Sequence, residues 1–360
     1  MSDQLRVVLR CGDDDAIHAL APVVLDGVPS VIGKHGDGSL TLCALSTGDR
    51  TALQLDLDGA GPDGPAGMYG DDEDPDDEDV ADEPGEADAE EVVSRLASAT
   101  LDGRPVLVTG GGRFDLTSLF GEDHLGGVVR CWDLVTGERI GEAVTGHGLG
   151  VNALAIVPSE RGRLVLSSSE EGVLIVSVLG SGERLGEIQG GYGGAMAAAV
   201  VDGRPLAVTG GEDPCVQVWD VLTGGPVGDP LKVAENCVHA IAVTEVAGRA
   251  VALTCGDDNA LRTWELATGR PLGVSLAGHA DVISGISLID LGGRPVAVTE
   301  AEDEPPRIWD LARAEQLGEP LTVPGESAPT AVTTTEIDGE PVVVTGYDDG
   351  TIRVWNIPGA

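Results

Sequence analysis

The chain has 360 residues, of which 42% are hydrophobic and only 3% aromatic, with 53 glycines and 21 prolines. Its formal net charge of −40 at pH 7 argues against nonspecific binding to nucleic-acid phosphates and favours basic partners. The composition suits many short strands around a core of Val, Leu, Ala and Ile, in one large β domain or two ordinary ones, rather than a helical protein.

The N-terminal Met1-Ser2-Asp3-Gln4-Leu5-Arg6 lacks the basic-then-apolar layout of a signal peptide. No apolar run approaches the ~20 residues needed to cross a bilayer. A cytoplasmic, monomeric protein without a membrane partner is the expectation. Cys11, Cys43, Cys131, Cys215, Cys237 and Cys255 show neither C-x-x-C nor metal spacing, and read as reduced thiols in apolar strands.

In chain order, residues 5–10 are a β-like run that stands ahead of any repeat. Asp37-Gly38-Ser39-Leu40-Thr41-Leu42-Cys43 reads as a turn and a strand, followed by Thr47-Gly48. Residues 58–91 then break the pattern with Gly, Pro and the acidic run Asp71 to Asp79. Such a composition cannot form a core, so disorder is expected there. Asp102-Gly103-Arg104-Pro105-Val106-Leu107-Val108-Thr109 is a turn followed by a β-rich run, and it returns at 202–209, 292–299 and 338–345. A second insertion, 112–126, replaces the ordinary turn after this run.

The tryptophans set the period. Trp132, Trp219, Trp264, Trp309 and Trp355 are separated by 87, 45, 45 and 46 residues, so 87 is two steps with one tryptophan missing. Ser177 stands at the missing place and Cys43 at the one before Trp132, each followed by a turn of Thr/Ser-Gly type. Seven units result, each with three strands before its tryptophan position and usually a fourth after it. In the later units a Thr precedes an Asp by four residues and the Trp by ten, which marks Asp213, Asp258, Asp303 and Asp349 as turn acids. Asp349-Gly350 reads as a two-residue hairpin turn with positive φ.

Trp-Asp at 132–133, 219–220 and 309–310, with Gly-His at 146–147 and 278–279, resembles the WD40 repeat, and the period fits. The resemblance covers nearly the whole chain, 1–360, as a single domain. It implies an all-β, seven-bladed propeller of four-stranded antiparallel blades. Residues 5–10 are expected to complete the last blade and close the ring, which removes an exposed strand edge. The resemblance also implies a hydrogen-bonded tetrad of Thr or Ser, His, Asp and Trp within a blade. The sixth unit matches in full, with His279, Thr299, Asp303 and Trp309, while the third offers His147 and Ser167 but Glu171 and Ser177. Trp132, Asp133, Trp219, Asp220, Trp264, Asp310 and Trp355 are structural on this reading, and His279 is not a catalytic candidate.

In propellers of this type the blade-to-blade loops and the second-to-third-strand turns open on one face, so both insertions should lie together over the second blade. Beyond the tryptophans, the chain's aromatic residues are Phe114 and Phe120 in one insertion, Tyr69 in the other, and Tyr192 and Tyr347 in loops of the same class. They read as a contact surface or, for the two phenylalanines, as a small core capping that blade. The acids before the turn position, Glu170, Glu212, Asp257, Glu302 and Asp348, form an expected acidic rim suited to a basic peptide, or simply a solvated acidic surface.

No histidine has zinc-ligand spacing, no G-x-S-x-G surrounds a serine, no glycine-rich loop precedes a helix, and the acidic run lacks a punctuated calcium loop. Neither cofactor, metal nor catalytic residue is expected. The reading is a protein-interaction scaffold that is not an enzyme, with two alternatives: an acidic decoy acting through 71–91, or an enzyme with a site at the channel mouth.

Overall fold

The computed structural model describes residues 4–10, 16–36, 38–53, 55, 89–115, 123–190, 194–233, 237–272, 275–302, 304–323 and 329–359. Tight turns set its architecture. Asp26-Gly27, Asp102-Gly103, Asp202-Gly203 and Asp338-Gly339 all take positive φ, near 50° at the Asp and near 80° at the Gly. This is the two-residue geometry that matches the twist of paired strands. Each turn joins the first and second strands of a blade.

Seven antiparallel sheets follow, each paired in chain order. Blade 1 is Ile17–Leu25, Val28–His35, Leu40–Ala44 and Arg50–Leu53. Blade 2 is Ala89–Leu101, Arg104–Asp115, Asp123–Asp133 and Arg139–His147, and blade 3 is Val151–Ser159, Gly162–Ser169, Val173–Val178 and Arg184–Gln189. Blade 4 is Ala195–Val201, Arg204–Gly210, Cys215–Asp220 and Leu231–Lys232. Blade 5 is Val238–Val246, Arg249–Gly256 and Ala260–Glu265, edged by the short pieces Arg270–Pro271 and Leu276–Ala277. Blade 6 is Ile283–Asp290, Pro295–Ala301, Glu304–Asp310 and Glu315–Gln316. Blade 7 is Ala331–Ile337, Glu340–Gly346 and Thr351–Asn356, and its outer strand is Leu5–Arg10, with Val8 opposite Arg353. First strands of neighbouring blades touch all the way round, blade 7 meeting blade 1, so the seven sheets form a closed ring.

The core lies between blades. Seven buried apolar clusters each join two neighbours. Ala21 and Ile32 of blade 1, for example, meet Leu107 and Trp132 of blade 2. A sheet buried on both faces this way needs apolar residues at successive positions, which is why runs such as Val106-Leu107-Val108 are fully buried.

Tryptophans tie the second strand to the third in five of the blades. Trp132, Trp219, Trp264, Trp309 and Trp355 donate Nε1–H to Thr109, Thr209, Thr254, Thr299 and Thr345 at 2.8–2.9 Å. In blades 4 to 7 the ten-residue Thr-to-Trp spacing lets one hairpin bring the two side chains together, whereas in blade 2 the longer second and third strands keep the same pairing across 23 residues. In blade 6 Thr299 also meets His279 Nε2 at 2.8 Å, and His279 Nδ1 faces Glu304 at 2.9 Å. Burial holds His279 below the usual imidazole range despite that carboxylate, so a neutral ring donates to Glu304 and accepts from Thr299. Asp303, the acid expected in this tetrad, lies outside the described residues, and the carboxylate on the histidine is Glu304. In blade 3 His147 bonds Ser167 at 2.9 Å and Ser169 at 3.2 Å. Burial pushes His147 down to about 4, which keeps it neutral at pH 7.

The aspartates that follow tryptophan cap the next turn. Oδ1 of Asp133, Asp220 and Asp310 each accepts two backbone N–H bonds at 2.8–3.2 Å from residues two and three further on. Asp133 and Asp220 also face Arg104 and Arg204 across the blade.

Two expectations need correction. Asp349-Gly350 is not a two-residue turn with positive φ at both positions. The hairpin spans Asp348 to Gly350, and only Gly350 is left-handed, at 72°. Asp349 Oδ1 accepts Thr351 N–H at 3.0 Å and its hydroxyl at 2.6 Å, which holds Asp349 in ordinary backbone space. The insertion boundary also moves: residues 89–91, assigned to a disordered insertion 58–91, are the start of a strand, while 56–88 lie outside the described residues.

Candidate functional site

In every blade the first strand begins and the second ends at the same end of the sheet, so the second-to-third-strand turns gather on one face of the ring. Glu170, Glu212, Asp257, Glu302 and Asp348 occupy these turns in blades 3 to 7, and all five are exposed. The two in blades 3 and 4 border a cavity of about 360 Å³ at the meeting of blades 3, 4 and 5. Its wall includes Asn152, Glu170, Glu212, Asp213, Cys237 and His239, and among the described residues no Lys or Arg lines it.

Backbone irregularity shapes this wall. A β-bulge lets Asn152 interrupt the ladder between Val151 and Ala153, and a matching bulge frees His239 between Val238 and Ala240. Bulges of this kind re-aim a side chain away from regular pairing. His239 Nε2 is held by Asp257 Oδ1, and Asp257 Oδ2 accepts Cys237 N–H at 3.4 Å. Asp257 is thus engaged by blade 5, whereas Glu170, Glu212 and Asp213 face the cavity. Asp213 is exposed there, not bound into a blade as the tetrad pattern implied. Blade 4 has no histidine for it to hold. Asp258 pairs with Arg262 instead. Among the described residues no three His, Cys, Asp or Glu side chains stand close enough to hold a metal ion.

The second feature is the extension of blade 2. Its first three strands have 13, 12 and 11 residues, against 5 to 9 for their counterparts elsewhere. Ala89 pairs Asp115, Glu90 pairs Phe114, and Phe114 and Asp115 pair His124 and Asp123. The insertion 112–126 therefore begins and ends as a β-ladder continuing out of the ring, on the same face as the acidic turns. The fourth strand stops short, its last pair being His147 with Gly127.

The expected aromatic surface fares unevenly. Phe114 has its backbone in the extended ladder, while Phe120, Tyr69 and Tyr192 lie outside the described residues. Tyr347 is not a surface contact. It is 3% exposed, and the Arg353 guanidinium stacks 4.0 Å from its ring centre. The sequence places it in a loop, but the hairpin folds its ring back against its own third strand. Cavity-forming Asn152 and His239 were not singled out, because a bulge leaves no signature in residue type.

Residues 328–356, which span most of blade 7, match the family model described as WD domain, G-beta repeat. No curated protein matches the chain.

Proposed function

From a seven-bladed WD40-repeat propeller, a fold that commonly serves as a protein-interaction scaffold, we propose that this chain binds a basic peptide or basic protein patch on the face carrying the acidic turns and the blade-2 extension. The observation that carries this reading is the cavity of about 360 Å³ bounded by Glu170, Glu212 and Asp213, with no Lys or Arg among the described residues of its wall. Carboxylates gathered around a concave site attract a Lys or Arg side chain more strongly than the same charges scattered on an open surface. They repel nucleic-acid phosphates, so the ligand is a protein segment.

The test is affinity capture from the native cell lysate at low and moderate salt, comparing wild type with Glu170→Gln/Glu212→Gln and with Phe114→Ser/Phe120→Ser. Capture of a basic partner should weaken about tenfold or more in the cavity variant, as expected for losing one or two charge-assisted contacts. Unchanged capture in both variants would rule out this face. Capture that vanishes only with the acidic run removed would favour a charge decoy instead.

A further inference from the structure

The cavity and the blade-2 extension meet at one hydrogen bond. Arg95 Nε donates to the carbonyl of Asn152 at 2.6 Å. Asn152 lines the cavity, and Arg95 is the first paired residue after the bulge that follows Val93. Val93 opposite Gly111 corresponds to Val151 opposite Ser169, the first pair of blade 3. The other inner strands likewise begin at this level, with Ile17, Ala195, Val238, Ile283 and Ala331. Ala89 to Val92 therefore rise past the ring by four residues, about 13 Å at ~3.3 Å per residue.

In blade 2 this rising segment pairs with Arg104–Asp115 on one side and, among the described residues, with nothing on the other. A row of unpaired backbone N–H and C=O groups is a template for one more strand. Here that row starts where the acidic cavity ends.

We propose that the segment held by the acidic cavity continues as an added strand along Ala89–Val93, so that an extended basic peptide is gripped by carboxylates at one end and by a backbone ladder at the other. The proposal rests on the reading of the cavity as a site for a basic ligand. Charge selects the occupant. Glu170 and Glu212 line the cavity beyond the foot of the rising strand. These repel the chain's own run Asp71 to Asp79 and a second copy of a chain with net charge −40, and they attract Lys and Arg. An added strand sends alternate side chains to opposite faces, so the fitting ligand carries its cations at every second residue.

The probe is an octapeptide of alternating Lys and Val, with two N-methylated versions, one methylated at the odd positions and one at the even. A strand joins a sheet edge through the amides of alternate residues only. One methylated version should therefore bind at least about tenfold more weakly than the parent, and the other about equally well. Backbone amides of Ala89–Val93 should exchange more slowly with the parent peptide bound. Equal binding by all three peptides, or equal loss in both methylated ones, would overturn strand addition, because side chains and charge are the same throughout. Failure of the parent peptide to bind at low salt would overturn it too. So would slowed exchange of the same amides without peptide together with a doubled mass in sedimentation, which would identify a second copy as the occupant. Glu170→Gln/Glu212→Gln separates the two claims. If that variant binds the parent peptide as wild type does but keeps the odd-even difference, the cavity reading fails and the strand survives.

Discussion

At the scale of single residues, the Trp–Thr bonds were legible because both partners are large signals at fixed spacing: a ten-residue step in one hairpin leaves few other contacts open to them. Trp309→Ala should cost about 3–5 kcal/mol, as for other large-to-small changes in a core. Trp309→Phe keeps most of the volume but removes the donor to the Thr299 oxygen, whose hydroxyl still bonds His279, and should cost about 1 kcal/mol more than packing alone. Both are read from urea midpoints, and an unchanged midpoint in the alanine variant would contradict the role of the pair. Glu304 was not legible as the histidine's partner, because the Thr-to-acid spacing pointed to Asp303 beside it. Glu300 carried no signal either. Its Oε2 is sealed from solvent without a hydrogen-bond partner among the described residues, and a Cβ on Gly285 would collide with its carboxyl. Burial raises it from 4.5 to about 7, partly offset by the Val332 N–H. A folded-state value above the unfolded one means the neutral acid favours the fold. That stability is complete below pH ~4.5 and is lost as pH rises through about 7. Glu300→Gln should therefore gain on wild type between pH 5 and 8, by an amount on the order of 2–3 kcal/mol. Parallel pH curves for the two proteins would refute the assignment.

Among the elements, the seven units were readable because three strands recur with the same turn chemistry. Their outer strands were not. In blades 4 and 6 the fourth strand has two residues, too short for any alternation to show. The extended ladder of blade 2 was read as an insertion for a related reason: glycines at 110–112 break the apolar alternation that announces a strand, although the backbone continues through them. The strand Leu5–Arg10 was legible as an unassigned β-run, and it occupies the outer edge of blade 7. Deleting residues 1–10 bares the edge of Thr351–Asn356 and removes Val7 and Leu9, uncovering the blade 7–blade 1 cluster on which they pack. The deletion should lower the thermal midpoint by more than about 5 °C, given the apolar surface exposed, and promote association through the open edge. Melting like the full chain, without association, would show that the ring does not depend on that strand.

For the whole molecule, every core cluster is shared between two blades, so no blade has an apolar core of its own to retain when its neighbour opens. Unfolding should be a single cooperative transition, detected at the same midpoint by tryptophan fluorescence and by circular dichroism. Removing residues 58–88, which leaves the strand from Ala89 intact, should shift that midpoint by no more than about 2–3 °C. It should also flatten the salt dependence of basic-peptide binding, since the acidic run acts through screened charge. The same architecture has a consequence for biosynthesis. Leu5–Arg10 must pair with Thr351–Asn356, so a strand made before all seven blades waits for the third strand of the last one. At ~5–20 residues per second that delay is roughly 20–70 s. Throughout it the nascent chain carries that strand unpaired, and each finished blade offers a bare apolar face to the next. For that interval the unclosed edge and the bare faces stay open to wrong partners, until the last blade completes the circle.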